Sequence, residues 1–490
     1  MDNRVKQQTF GDYPAPHGDL REWLQRAQQA GEVKVITGAD WNREIGAIAE
    51  MITNHAPGRA PALLFDEIKG YPKGFRVLSG MTDSPTRLAL TLGFPKPDSE
   101  MELVRGYRDR MRNFTLIPPT ARNTGSVLEN VIEEDDVDVL KFPVPFINEL
   151  DGGRYIGTAS VVVMRDPDSG WVNLGTYRIQ VQDRNTVSLG IAPAHHGLEI
   201  SKKYLDKGKP CPILICVGQD PLLFLAACND VAHGVDEYAY AGGHRGSPFD
   251  VVAGKLTGLP MPADAEIVLE GEVVPGEARP EGPFGEWTGY YGGGVADKPI
   301  VRVKRIYHRN DPILTMARYS RPPADSIFSK CVIKSAMIWE QIEKAGLPGV
   351  SGVWSHVSGG GGFFNVVAIK QAYAGHAKQA LLLAAGAVSA NASGQYVVVV
   401  DDDIDPSNLF DVTWAISSRC DPAEDIDIVR RAMATRVNPR LRPGSPNLTS
   451  RALIDACRPF EWIDEFPAVA ESSPELRAET YRKWGHLLDD

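Results

Sequence analysis

With 490 residues the chain is long enough for about three domains at roughly 150 residues each. Its 52 Lys and Arg against 63 Asp and Glu leave a net charge of -11, which excludes the concentrated basic face that nucleic-acid binding needs but not a small anion held by one buried arginine. The 43% hydrophobic and 23% charged content is that of a soluble globular protein with a large core.

No run reaches the ~18 apolar residues of a membrane span, and no apolar segment follows the first four residues, so neither a membrane anchor nor a signal peptide is expected. Six scattered cysteines form no zinc pattern or disulfide framework, and they read as reduced, mostly buried thiols of a cytoplasmic protein. Residues 1–115 read as an N-terminal α/β segment. Asp19 with Glu22 resembles a capping box ahead of the stripe Leu20, Trp23, Leu24, Ala27. A second helix follows around Ile45, Ile48, Ala49 and Ile52, and short strands are expected at 62–65 and 76–78.

Residues 116–320 change to many short strands with Gly/Pro-rich loops, the texture of a β-barrel. Strands are expected at 161–163, 171–181, 187–191, 213–217, 266–274 and 300–306. A helix over 326–346 reads as a connector, taken as a linker at 321–350. Residues 351–490 then run strand, helix, strand (365–369, 376–383, 396–400), a βαβ unit in a C-terminal α/β domain. Ser473-Pro474 opens a last helix whose Leu476, Tyr481, Trp484 and Leu488 are too apolar for a free tail.

Three segments could carry chemistry. Pro280-Glu281-Gly282-Pro283-Phe284-Gly285-Glu286 is a stiff loop with two carboxylates, and two close carboxylates resist ionising together, so one can serve as an acid. The bland alternative is a solvated turn. Asn173 and Arg178 lie on opposite faces of an ideal strand unless Gly175 makes a bulge; an arginine so turned could hold a carboxylate at two points. His195, His196 and Glu237, with Asn173, form an oxygen-rich set suited to Mg²⁺ or Mn²⁺ and a phosphate rather than to zinc. Adjacent histidines are equally at home on a surface turn. The acidic run Asp401 to Asp403 reads as a solvated turn closing a strand, and Gly359 to Gly362 as a flexible loop without the lysine of a phosphate-binding loop.

Taken together, Asn173, Arg178, His196, Glu237, Glu281 and Glu286 stand in the order and spacing of the UbiD family of prenylated-FMN-dependent decarboxylases, which the chain resembles from about residue 20 to 460. The resemblance extends to Gln371-Ala-Tyr-Ala-Gly-His-Ala-Lys378 and Asp401-Asp-Asp-Ile-Asp405. It implies an N-terminal α/β segment and a split β-barrel holding the flavin, a linker helix, and a C-terminal α/β domain for oligomerisation. It also implies Asn173, His196 and Glu237 as ligands to Mn²⁺ (or Mg²⁺), which with K⁺ holds the phosphate of prenylated FMN, and it leaves His195 as a lining residue of the cofactor site. Arg178, Glu281 and Glu286 become the catalytic set. A basic phosphate contact known in some members has no counterpart among residues 391–395.

The activity so implied is reversible, non-oxidative decarboxylation of an aromatic, heteroaromatic or α,β-unsaturated acid with release of CO₂. A flavin prenyltransferase would supply the cofactor, and the protein would work as a homodimer or larger homo-oligomer without nucleic-acid or membrane partners. Two other readings stay open on the residues alone: a metal-dependent hydrolase using His196 and Glu237, and a non-catalytic subunit of a multi-subunit carboxylase.

Overall fold

A computed structural model describes residues 16–488 apart from Phe114, Ala194, Asp230, residues 391–393 and Pro443. The expected phosphate-contact segment 391–395 therefore lies largely outside the described residues. The first helix, Leu20–Gln29, starts where Asp19 accepts a hydrogen bond from the Glu22 N–H, and it buries the four residues of the expected stripe. The helix Glu44–His55 follows.

The N-terminal sheet runs in the order Val33–Thr37, Ala62–Asp66, Arg76–Ser79, Ile313–Met316. Its first strand has an amphipathic, largely exposed pattern and carries no strong sequence signal. Its fourth comes from more than 200 residues further on and pairs parallel to Arg76–Ser79. The N-terminal α/β segment thus completes its sheet only with chain from the end of the barrel segment.

The central sheet has nine strands. Eight lie in one path: Tyr155–Gly157, Arg178–Val181, Thr186–Gly190, Ala296–His308, Ile267–Glu281, Cys211–Val217, Ser160–Arg165, Val172–Gly175. The ninth, Asn130–Glu133, pairs with Ala296–His308. Val172–Gly175 at one end of this path and Arg178–Val181 near the other are joined by two residues, so the sheet must curl until its ends nearly meet. It is a barrel with a seam. Alternate residues of Cys211–Val217 enter two different apolar clusters, Leu214 and Cys216 on one side and Ile213 and Ile215 on the other, the period-2 consequence of a sheet covered on both faces.

The helix Ile327–Lys344 is more than a connector. Twelve of its residues are buried, and it packs on the helix Glu100–Asn113, where Arg108 and Arg112 reach Glu340 and Glu343 and the Arg108 guanidinium lies 4.2 Å from the Trp339 ring centre. One apolar cluster includes Trp23, Val161, Ile338 and Val397, and so binds all three parts of the chain together.

The C-terminal sheet has the order Val350–Ser355, Phe364–Ile369, Tyr396–Asp401, Leu448–Ala456, Ile426–Met433. Phe364–Ile369 and Tyr396–Asp401 pair in parallel across the helix His376–Gly386, the expected βαβ unit. The acidic run is not a solvated turn at its first residue: Asp401 is buried and paired with Arg419 and Arg458, because a strand-end carboxylate inside this sheet needs cationic partners. Cys211, Cys216, Cys331 and Cys457 are buried free thiols, Cys420 is half-buried and Cys228 is exposed. The last helix, Pro474–Trp484, buries none of its residues within the chain. Among the described residues, no helix is long and apolar enough to cross a membrane.

Candidate active site

The seam of the barrel positions the candidate residues. The segment 171–181, expected as one bulged strand, is two strands: Val172–Gly175 pairs with Ser160–Arg165, while Arg178–Val181 pairs with Thr186–Gly190 and Tyr155–Gly157. No bulge at Gly175 is needed, because Thr176 and Tyr177 carry the chain from one end of the sheet to the other. Asn173 and Arg178 then stand on the two lips of the seam. The Tyr177 ring packs between two glycines; a Cβ on Gly175 or Gly197 would lie 2.3 or 2.6 Å from its hydroxyl oxygen. Tyr177 Oη accepts the Gly197 N–H at 3.0 Å, fastening the seam to the helix His196–Leu205.

On the Arg178 lip the guanidinium donates from Nε and Nη2 to the two oxygens of Glu281, both at 2.8 Å, and from Nη1 to Glu286 at 2.5 Å. Glu281 is the last residue of the long strand Ile267–Glu281 and is fully buried, so the solvated-turn alternative is overturned. Only Glu286 belongs to the loop. Tyr155, also fully buried, donates its hydroxyl to Glu281 at 2.9 Å. The Gly282 N–H donates to Gln180 at 3.2 Å and the Gly285 N–H to Asp151 at 2.9 Å, which fixes the loop between the two carboxylates. Burial pushes Glu286 above the usual carboxylate range even though Arg178 pulls it down. Burial likewise opposes the charge on Arg178, but the bonds from Glu281 outweigh it and hold its pKa above the ordinary value.

On the other lip, Asn173 and Glu237 are both 2% exposed, and Asn173 Nδ2 donates to Glu237 Oε1 at 2.8 Å. The second Glu237 oxygen accepts the Leu174 N–H at 2.8 Å. Asp236 caps the helix Glu237–Arg245 and so sets Glu237 at the start of its first turn. Both of these Glu237 partners are neutral donors, and burial pushes its carboxyl up to about 7. A buried carboxylate beside an amide, answered by neutral donors, is chemically suited to a hard divalent cation.

His196 opens the helix His196–Leu205, its ring 5.1 Å from Trp171, whose indole N–H donates to the Val235 carbonyl at 3.0 Å. His195 caps the same helix, with its ring 6.0 Å from Tyr177. His195 thus reaches the seam through Tyr177, whereas the His196 ring packs against Trp171 and, at 5.3 Å, His233. No three His, Cys, Asp or Glu side chains among the described residues converge as a metal cage.

Several participants escape sequence reasoning. Tyr155 reaches the site only because its strand pairs with Arg178–Val181, with Tyr155 opposite Gln180, and no local motif signals that. Trp287 adjoins the Glu286 loop, so its position alone could have marked it. Its ring lies 5.0 Å from Phe363 and against Gly360, where a Cβ would come within 2.7 Å of the indole. The glycine run 359–362 is thus a docking surface for the loop.

Comparison with known proteins matches this arrangement domain by domain. The models described as the N-terminal, Rift-related and C-terminal domains of 3-octaprenyl-4-hydroxybenzoate carboxy-lyase match residues 24–106, 119–322 and 328–456. The chain belongs to the UbiD family. Membership makes it a carboxy-lyase and removes the hydrolase reading. It is 31% identical to a phenolic acid decarboxylase of Bacillus subtilis, over 90% of this chain and 92% of that protein. It is 33% identical to a pyrrole-2-carboxylic acid decarboxylase of Pseudomonas aeruginosa, over 83% and 84%. Among solved UbiD relatives, the open form of the Sedimentibacter hydroxybenzoicus vanillic acid decarboxylase superposes with a TM-score of 0.83 at 30% identity, covering 97% of this chain and 100% of that one. HmfF from Pelotomaculum thermopropionicum, solved with FMN, has a TM-score of 0.83 at 29% identity over 95% and 100%. Its evolved dimeric form with prenylated FMN has 0.79 at 28% over 94% and 98%.

The burial of Glu281 beside Arg178 has an expected energetic signature. Arg178→Met leaves an unpaired buried carboxylate and should cost about 3–5 kcal/mol. Adding Glu281→Gln to that variant should recover a substantial part of the loss. Chemical denaturation of the two single variants and the double variant measures this coupling directly.

Proposed function

We propose that this protein catalyses the reversible, non-oxidative decarboxylation of an aromatic, heteroaromatic or α,β-unsaturated carboxylic acid, using prenylated FMN with Mn²⁺ or Mg²⁺ and K⁺. The observation that carries the reading is the pairing, across one barrel seam, of the Glu281–Arg178–Glu286 network with the buried Asn173–Glu237 pair. Asn173, His196 and Glu237 would ligate the divalent metal and through it hold the cofactor phosphate, with His195 and Arg178 lining the cofactor. When bound, prenylated FMN supplies the electron sink without which loss of CO₂ from an sp² carbon is inaccessible. Decarboxylase relatives acting on phenolic and pyrrole acids support the aromatic and heteroaromatic range.

The side chains divide the remaining work. Arg178, its orientation fixed by the two-point bond to Glu281, steers the substrate carboxylate. Glu286, favoured in its protonated form by burial, delivers the proton to the carbon that has lost CO₂. In reverse, Glu286 takes that proton away, and high bicarbonate drives carboxylation by mass action. That all three of Arg178, Glu281 and Glu286 are present and connected supports an active enzyme over a non-catalytic subunit.

The test is co-expression with a flavin prenyltransferase, followed by a screen of aromatic acids for CO₂ release. Glu286→Gln should lower turnover by ~10²–10⁴-fold while the flavin stays bound; near-normal turnover and unchanged D₂O exchange into product would assign the proton to another donor. Glu237→Ala should reduce both metal and flavin content, read by elemental analysis and absorbance, and full occupancy would remove Glu237 from the ligand set.

Self-association belongs to the same proposal, as a homodimer or a higher symmetric assembly. Leu476, Tyr481, Trp484 and Leu488 of the terminal segment are 52%, 68%, 57% and 72% exposed in the single chain, and a solved relative is described as dimeric. Light scattering should give a mass that is a multiple of 53.5 kDa at micromolar concentration.

A further inference from the structure

Three rings form a closed cluster built from the chain segments that carry the candidate metal ligands. The His196 ring lies 5.1 Å from Trp171 at an interplanar angle of 70° and 5.3 Å from His233 at 86°, and Trp171 lies 4.8 Å from His233. Each ring meets the other two, so His196 is braced from two directions in edge-to-face contact. Trp171 stands two residues before Asn173, His196 opens its own helix, and His233 stands four residues before Glu237. Two polar contacts tie the same segments together. The Trp171 indole N–H donates at 3.0 Å to the carbonyl of Val235, two residues before Glu237, and His233 Nε2 lies 3.5 Å from the carboxylate of Glu199, one turn beyond His196.

An imidazole ligates through a nitrogen lone pair in the plane of its ring, so rotation of the side chain decides whether it can bind a metal. As the first residue of the helix His196–Leu205, His196 has no preceding helical turn to lie on. Its orientation is therefore set by what packs against it, and that includes an indole and a second imidazole. The His233 side chain is 59% exposed and adds little to the core, yet its ring faces both Trp171 and His196. Among the described residues, His196, His233 and Glu199 do not converge as a metal cage of their own. The cluster is a brace beside the candidate metal site, not a second site.

We propose that Trp171 and His233 are positioning residues that hold the His196 ring in the orientation from which it ligates the divalent metal. This rests on the ligand assignment made above and extends it to two side chains that are not ligands. In the test, Mn²⁺ is titrated into the full chain with FMN at saturation, and pulsed EPR reads the imidazole nitrogen coupling to the bound ion. His233→Ala and Trp171→Leu should each weaken Mn²⁺ binding roughly 10- to 100-fold and reduce that coupling. Trp171→Phe, which keeps a ring against His196, should recover part of the loss. In a His196→Ala background, His233→Ala should add nothing further, a non-additivity that general loosening of the fold does not produce. Because His233 is exposed, this arm of the test stands even where Trp171→Leu fails to fold. Wild-type Mn²⁺ affinity in His233→Ala, or a full additional loss in the His196→Ala background, would overturn the proposal. So would two imidazole couplings in the wild type of which His233→Ala removes one, since His233 would then be a ligand. The ligand assignment fails separately: if His196→Ala and Glu237→Ala both kept wild-type Mn²⁺ affinity, that reading would fall and the positioning role with it.

Discussion

The two-point bond between Arg178 and Glu281 is the constraint on which the site is built. Glu281 is fully buried and Arg178 half-buried, and an isolated buried carboxylate is costly enough to be avoided. Both planar groups must therefore meet in one geometry. That requirement ties the end of the strand Ile267–Glu281 to the start of Arg178–Val181, two strands that are not neighbours in the sheet. With Nε and Nη2 both committed to Glu281, the Nη1 side of the guanidinium is the one that meets Glu286. Tyr155 and the Gly282 and Gly285 main-chain bonds serve the same end, by holding the two glutamates at different depths.

The seam explains why a nearly closed barrel suits this chemistry. A fully closed sheet fills its interior with side chains. Here the ends are bridged covalently by Thr176 and Tyr177 instead of by a ladder of hydrogen bonds, and the backbone on each lip can present a polar side chain inward. One lip carries the arginine and its carboxylates, the other an amide and a buried carboxylate suited to a cation. The Tyr177 ring, seated between Gly175 and Gly197, sets the width between them.

The loop that carries Glu286 is also part of an interdomain contact. Trp287 rests on Gly360 and Phe363 of the C-terminal domain, and Thr288 donates to the Val437 carbonyl at 3.2 Å. Gly360 adopts φ +62° and leaves no room for a side chain, so this contact depends on glycine. Glu286 is consequently held from two sides, by the barrel through Arg178 and by the C-terminal domain through the adjacent Trp287. Any change in how those parts sit together acts on Glu286 before it acts on Glu281, which the strand ladder fixes.

By itself the sequence determined the local structure and the chemical inventory. Helix caps and stripes, the βαβ order and the strand-rich middle depend on neighbours a few residues apart, so Asp19, Leu20, Trp23 and the terminal Ser473-Pro474 were legible directly. The Asn173, Arg178, His196, Glu237, Glu281 and Glu286 set was legible as a resemblance in order and spacing. Only the tertiary structure decided which of these groups meet. That Asn173 and Arg178 lie on two strands at opposite ends of one sheet, that Ile313–Met316 completes a sheet begun before residue 80, and that Tyr155 reaches Glu281 are all long-range pairings with no local periodicity to betray them. The same holds for Asp401 and for the glycine run, whose compositions suit solvent and flexibility but whose partners, Arg419 and Trp287, arrive from distant chain. Burial is a property of what packs against a residue, and no residue type carries that information alone.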